Sequence, residues 1–162
     1  MEYKDFKEKG FQVFHDVLEK SQVDFYKNRI LDLYEQQKDD FGEDNLKKIG
    51  EDNTVRSPFL QDQKFQYLFY NDFSRKIVED ILGDHAILSL QNGIFIPPMK
   101  KHHQSFFHRD LIYQEFTSSR PLSINLYYCL DDYNESNGGT SFIPGSHMVE
   151  KLTSYNKDIE IF

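Results

Sequence analysis

Apolar residues recur at helical spacing in two stretches of the first half of the chain and at strand spacing in the second half. Phe6, Gly10, Phe11, Val13 and Phe14 read as a short helix running into a brief strand. Val23, Tyr26, Ile30, Leu33 and Tyr34 then fall on one helical stripe, with Ser21 placed to cap it. Gln36 to Thr54 is mostly polar and reads as a solvated helix end and loop. After a turn at Ser57-Pro58, residues 65–82 carry Leu68, Phe69, Phe73, Ile77, Val78, Ile81 and Leu82 at helical spacing. Gly83 closes that helix. From Ala86 to Ile96 the pattern is that of a strand broken at Gly93 and stopped by Pro97-Pro98. Residues 121–130 alternate cleanly. Leu122, Ile124, Leu126, Tyr128 and Leu130 share one face, and Ser123, Asn125, Tyr127 and Cys129 share the other. Asn134 to Gly139 reads as a turn, and Thr140 to Ile143 as a short strand halted by Pro144-Gly145. Helices first and strands later predict an α+β chain rather than repeated βαβ units.

Composition narrows the function classes. The 162 residues are long enough for a real core, and 15% aromatic content is too rich for a disordered chain. With 27 acidic against 19 basic side chains, the net charge of -8 argues against a nucleic-acid partner, which needs a basic face. No apolar run reaches the roughly 18 residues of a membrane span. The first residues lack the apolar core of a secretion signal. The lone cysteine, Cys129, fits a reducing compartment, so a cytoplasmic protein is the expectation.

The chemistry concentrates at His108-Arg109-Asp110. On an extended segment an imidazole and a carboxylate two residues apart point the same way and can grip one metal ion from one side. Such a tripeptide alone arises often by chance. Downstream, however, the strand ends in Leu130-Asp131-Asp132, Asn137-Gly138 makes a turn, and Pro144-Gly145-Ser146-His147 follows. In this order and spacing the sequence resembles the phytanoyl-CoA dioxygenase family of iron(II)- and 2-oxoglutarate-dependent oxygenases. Lys9-Gly10-Phe11, Val17-Leu18 and Pro97-Pro98 add to the likeness.

The resemblance implies a double-stranded β-helix, a cupin-like jelly roll, with the N-terminal helices packed on its larger sheet. Residues 1–85 would form the helical part of a single domain, and residues 86–162 the first part of the barrel. The apolar face from Leu122 to Leu130 would lie under the helices, and the opposite face would look into the barrel. His108 and Asp110 would be two of three protein ligands to Fe(II). Tyr127, Asn125 and Asn92 would contact 2-oxoglutarate, unless they are interior polar residues satisfied by their neighbours. The reaction implied consumes dioxygen, decarboxylates 2-oxoglutarate to succinate and oxidises a C–H bond of a small organic or acyl substrate. A carboxylate at Asp110, where halogenating relatives carry Ala or Gly, points to hydroxylation.

The family also needs a second histidine ligand and, about ten residues beyond it, an arginine for 2-oxoglutarate. Met148 to Phe162 contains neither. The expectation is an incomplete domain, unstable or aggregating when isolated. Two alternatives stay open: a non-catalytic jelly-roll binding module, and a cupin-like metal protein using His108, Asp110 and His147. In relatives the histidine of the P-G-S-H turn is mainly a turn residue. His102 and His103 read as a surface loop, His15 and His85 as structural or exposed, and Cys129 as a small interior residue.

Overall fold

A computed structural model describes residues 2–97, 107–108, 118–134, 136–149 and 160–161. They divide into two compact units. One draws on residues 18–97 and 124–131; the other on residues 2–17, 107–108, 118–123 and those described from 132 onward. In chain order the helices are α1 (Lys4–Lys9), α2 (Lys20–Phe41), α3 (Glu43–Lys48), α4 (Pro58–Gln61), α5 (Gln66–Tyr70) and α6 (Asp72–Leu82). The strands are β1 (Thr54–Arg56), β2 (Asn92–Ile94), β3 (Ser141–Phe142) and β4 (Glu160–Ile161). The chain is thus mixed helix and sheet, and its described strands make two antiparallel pairs, β1 with β2 and β3 with β4.

In the first unit α2 is the central element. Its stripe buries Tyr26, Ile30, Leu33 and Tyr34, and these pack with Leu46, Val55, Phe65 and Leu68 into one core. The cap differs from the sequence expectation. Glu19, not Ser21, precedes the helix, and its side chain and that of Gln22 satisfy each other's backbone N–H groups in a capping box. The helix also runs further than expected. After the turn at Gly42, α3 plants Leu46 in the core, so the polar stretch after Gln36 is not simply a solvated loop.

The stretch at 65–82 is divided rather than continuous. A 3-10 turn at Gln63–Phe65 leads into α5, and Asn71 interrupts the path in an extended conformation. Asn71 Oδ1 accepts from the Ser74 N–H at 2.9 Å, while its Nδ2 donates to the Tyr67 carbonyl at 2.6 Å. A local side-chain cap thus outcompetes the helix at that point. Gly83, at φ +90°, ends α6 as expected, its N–H donating to Glu79 O at 3.0 Å.

β2 is shorter than the strand predicted over Ala86 to Ile96. Its partner β1 stops at Arg56, where Ser57 takes a left-handed conformation and Pro58 starts α4. Ile87 and Leu90 are accordingly exposed. Gly93 lies in the middle of the ladder, opposite Val55, instead of breaking it. A Cβ on Gly93 would come 2.9 Å from Ile30 Cγ1, so the glycine lets the sheet lie directly on α2.

In the second unit Gly10 ends α1 at φ +92°. The chain from Phe11 to His15 forms no strand, but Phe11 stacks on Phe142 of β3 with ring centroids 4.8 Å apart. The expected turn after Asn134 is present. Its carbonyl accepts from the N–H groups of Asn137 and Gly139, and Asn137 Oδ1 accepts from the Asn134 N–H at 2.8 Å. The Pro144-Gly145 turn then leads into a 3-10 turn at Ser146–Met148.

Candidate functional site

His108 is described and exposed, in the unit that also contains α1 and β3. Its expected partner Asp110 lies outside the described residues, as do Arg109, His102 and His103. Among the described residues no group of three His, Cys, Asp or Glu side chains is arranged to hold a metal ion.

Asn92, Asn125 and Tyr127 belong to the other unit. Asn92 opens β2 and is half-buried. With its carboxamide oxygen facing Arg56, it accepts from Nη1 at 2.9 Å and its nitrogen donates to Gln91 O at 2.9 Å. The same guanidinium donates to both carboxylate oxygens of Glu51, at 2.7 and 2.9 Å. Asn92 is therefore tied into a surface ion pair.

Residues 124–131 keep part of the two-faced character read from the sequence, although no ladder is assigned to them and Leu126, like Leu122 before them, is exposed rather than covered. Tyr128 and Leu130 pack against the core beside α2, and Ile124 is half-buried. Asn125, Tyr127 and Cys129 project from the other side and are exposed, Tyr127 at 62%. Two of the three expected 2-oxoglutarate contacts thus share one side of one segment. Cys129 is exposed rather than interior; desolvation still pushes its thiol pKa up, the opposite of an activated thiolate.

The phenol of Tyr128 is a feature that the alternating pattern concealed. In a row otherwise made of Leu and Ile, a buried hydroxyl needs a partner. It donates to the Leu68 carbonyl at 2.7 Å and lies 2.5 Å from Ser74 Oγ, which itself donates to the same carbonyl at 2.7 Å. Asp131, at the end of the segment, pairs with Lys27 of α2. The one signal available in the sequence was the tyrosine itself among aliphatic residues.

His147 occupies a structural position. Its Nε2 sits 3.3 Å from the Lys7 carbonyl, which can only accept, so that nitrogen is placed to donate. A Cβ on Gly10 would approach its Nδ1 to 2.5 Å, so the other nitrogen lies against the C-terminal glycine of α1. The Gly145 N–H donates to Lys9 O at 2.8 Å in the same contact. The P-G-S-H turn thus caps α1, and among the described residues its histidine belongs to no ligand cluster.

The sequence profile described as Phytanoyl-CoA dioxygenase (PhyH) matches residues 6–157. An uncharacterised protein of Mycobacterium tuberculosis and one of Mycobacterium bovis are each 28% identical to the chain over 148 residues. The matched region is 88% of this chain and 54% of theirs. The chain therefore spans about half the length of the curated relatives it matches. No solved structure matches the chain significantly.

Proposed function

Because the chain belongs to the phytanoyl-CoA dioxygenase family, we propose that it supplies part of an iron(II)- and 2-oxoglutarate-dependent oxygenase. The observation that carries this reading is the family match over residues 6–157, which includes His108-Arg109-Asp110. Imidazole and carboxylate are the donor types that a 2-His-1-carboxylate iron site requires, and His108 and Asp110 would provide one of each. With iron(II) and 2-oxoglutarate bound, the site supplies oxidation of an unactivated C–H bond coupled to decarboxylation of the cosubstrate. Asn125 and Tyr127, exposed on one side of residues 124–131, offer carboxamide and phenol groups suited to orienting a dicarboxylate. Asn92 would contribute only by exchanging part of its bonding with Arg56. Residues 86–162 would be the first part of the jelly roll, with residues 1–85 as its helical layer in a single domain. The substrate class is a small organic or acyl compound. Asp110 in the metal pair favours hydroxylation as the outcome.

The test is succinate formation from 2-oxoglutarate by the native-length protein with Fe(II). His108→Ala and Asp110→Ala should each lower it at least about a hundredfold. Turnover unchanged in both variants overturns the reading. Absence of any Fe(II)-dependent turnover in the native-length protein favours the non-catalytic binding module instead.

A further inference from the structure

We propose that Tyr128 is a positioning residue for two side chains on the opposite face of its segment, Asn125 and Tyr127. This inference rests on the preceding reading of those two residues as 2-oxoglutarate contacts. Residues 124–131 have no assigned ladder to fix how they turn about their own axis. Something else must decide which side faces α2, because rotating the segment by half a turn exchanges the two faces.

The bonding around Tyr128 makes that decision. Its hydroxyl meets both the Leu68 carbonyl and Ser74 Oγ, at 2.7 and 2.5 Å. Ser74 is fully buried, at 0% exposure. Asn71 holds it in place by accepting from its N–H and by tying its own Nδ2 to the end of α5. The acceptor carbonyl lies in the turn before Asn71, which interrupts the helical path between α5 and α6. Turning the segment over would take the phenol away from both partners, so the segment has one favoured rotational setting. In that setting Asn125 and Tyr127 are the exposed ones. Lys27 pairs with Asp131 at the segment's far end.

Tyr128→Phe removes the hydroxyl while keeping the ring, and Ser74→Ala removes the other hydroxyl with no change in aromatic packing. In the native-length protein each variant should raise KM for 2-oxoglutarate about fivefold or more while leaving kcat within about twofold. The double variant should be no worse than Tyr128→Phe alone, because Ser74 Oγ reaches the segment only through the Tyr128 hydroxyl. Limited proteolysis, which needs no turnover, should cleave within residues 124–131 about tenfold faster while α2 keeps its resistance. An unchanged KM in an active Tyr128→Phe protein overturns the proposal, and so does unchanged cleavage in that segment. If the wild-type protein turns over no 2-oxoglutarate, the oxygenase reading fails separately. The proteolysis comparison then decides alone whether Tyr128 sets the segment.

Discussion

Asp62 shows how much one carboxylate can organise between two helices. Its Oδ1 accepts from the Lys64 N–H and its Oδ2 from Arg29 Nε of α2, each at 3.0 Å. Its carbonyl accepts from the N–H of Phe65, one of the most buried side chains of the core. The backbone N–H of Lys64 and the Arg29 guanidinium hold its pKa below the usual carboxylate value. A depressed folded-state pKa adds stability that is complete above the unfolded value and lost as pH falls through the folded one. The stability advantage of wild type over Asp62→Asn should therefore be largest at neutral pH and shrink below about pH 4. Urea titrations of both proteins at neutral and acid pH measure it, and a pH-independent difference would contradict the assignment. Tyr26 lies nearby, and burial raises its phenol pKa, so it stays neutral while donating to the Lys64 carbonyl at 3.0 Å.

Among the elements, α2 was the most legible, because a stripe of 3.6-residue period repeated over 22 residues leaves little choice of structure. Its start was less so. Ser21 is the favoured residue type for a cap, yet the reciprocal pair Glu19 and Gln22 holds the position. Glu19→Ala should cost about 1 kcal/mol, and Ser21→Ala less than about 0.5 kcal/mol. Thermal melts of the two variants rank them, and the reverse order would restore the serine as the cap. The interruption at Asn71 was hidden because the apolar stripe continues in phase on either side of it. Only the Asn71-Asp72 pair marked a helix start there. The strand from Ala86 is shorter than its pattern predicts for a different reason: a pairing partner sets a strand's length, and here Ser57-Pro58 ends the partner first. Alternation over residues 121–130 separated the two faces only in part: Ile124, Tyr128 and Leu130 turn inward, whereas Leu122 and Leu126 are exposed. It could not say that a phenol on the buried side would carry the polar anchoring.

Across the whole molecule, the ordered series of short motifs identified the family, because their order and spacing together are specific where each alone is not. Periodicity would not have done so: the described strands are few and two or three residues long. The same scale separates the roles of two histidines. In the native-length protein His108→Ala should weaken Fe(II) binding at least about tenfold, whereas His147→Ala should leave it within about twofold. Equal losses, read by metal titration, would revive a site built on His147. A complementary stability measurement concerns Gly10, where a Cβ would strike the His147 ring. Part of the cost of Gly10→Ala should disappear in a His147→Ala background, by about 0.5 kcal/mol or more, with strain from the positive φ remaining. No described helix is long and apolar enough to cross a membrane.

The contact between α1 and the P-G-S-H turn also bears on the order of events during synthesis. Lys7 and His147 are 140 residues apart in the chain, and the pairing of Lys9 with Gly145 is of similar reach. Translation at 5–20 residues per second separates the two ends of this contact by about 7–28 s. During that interval α1, only six residues long, is too short to persist on its own. Phe11 also waits for the ring of Phe142. α1 is thus made well before its native neighbours, and a nascent chain stalled before Gly145 would present it to chaperones and proteases.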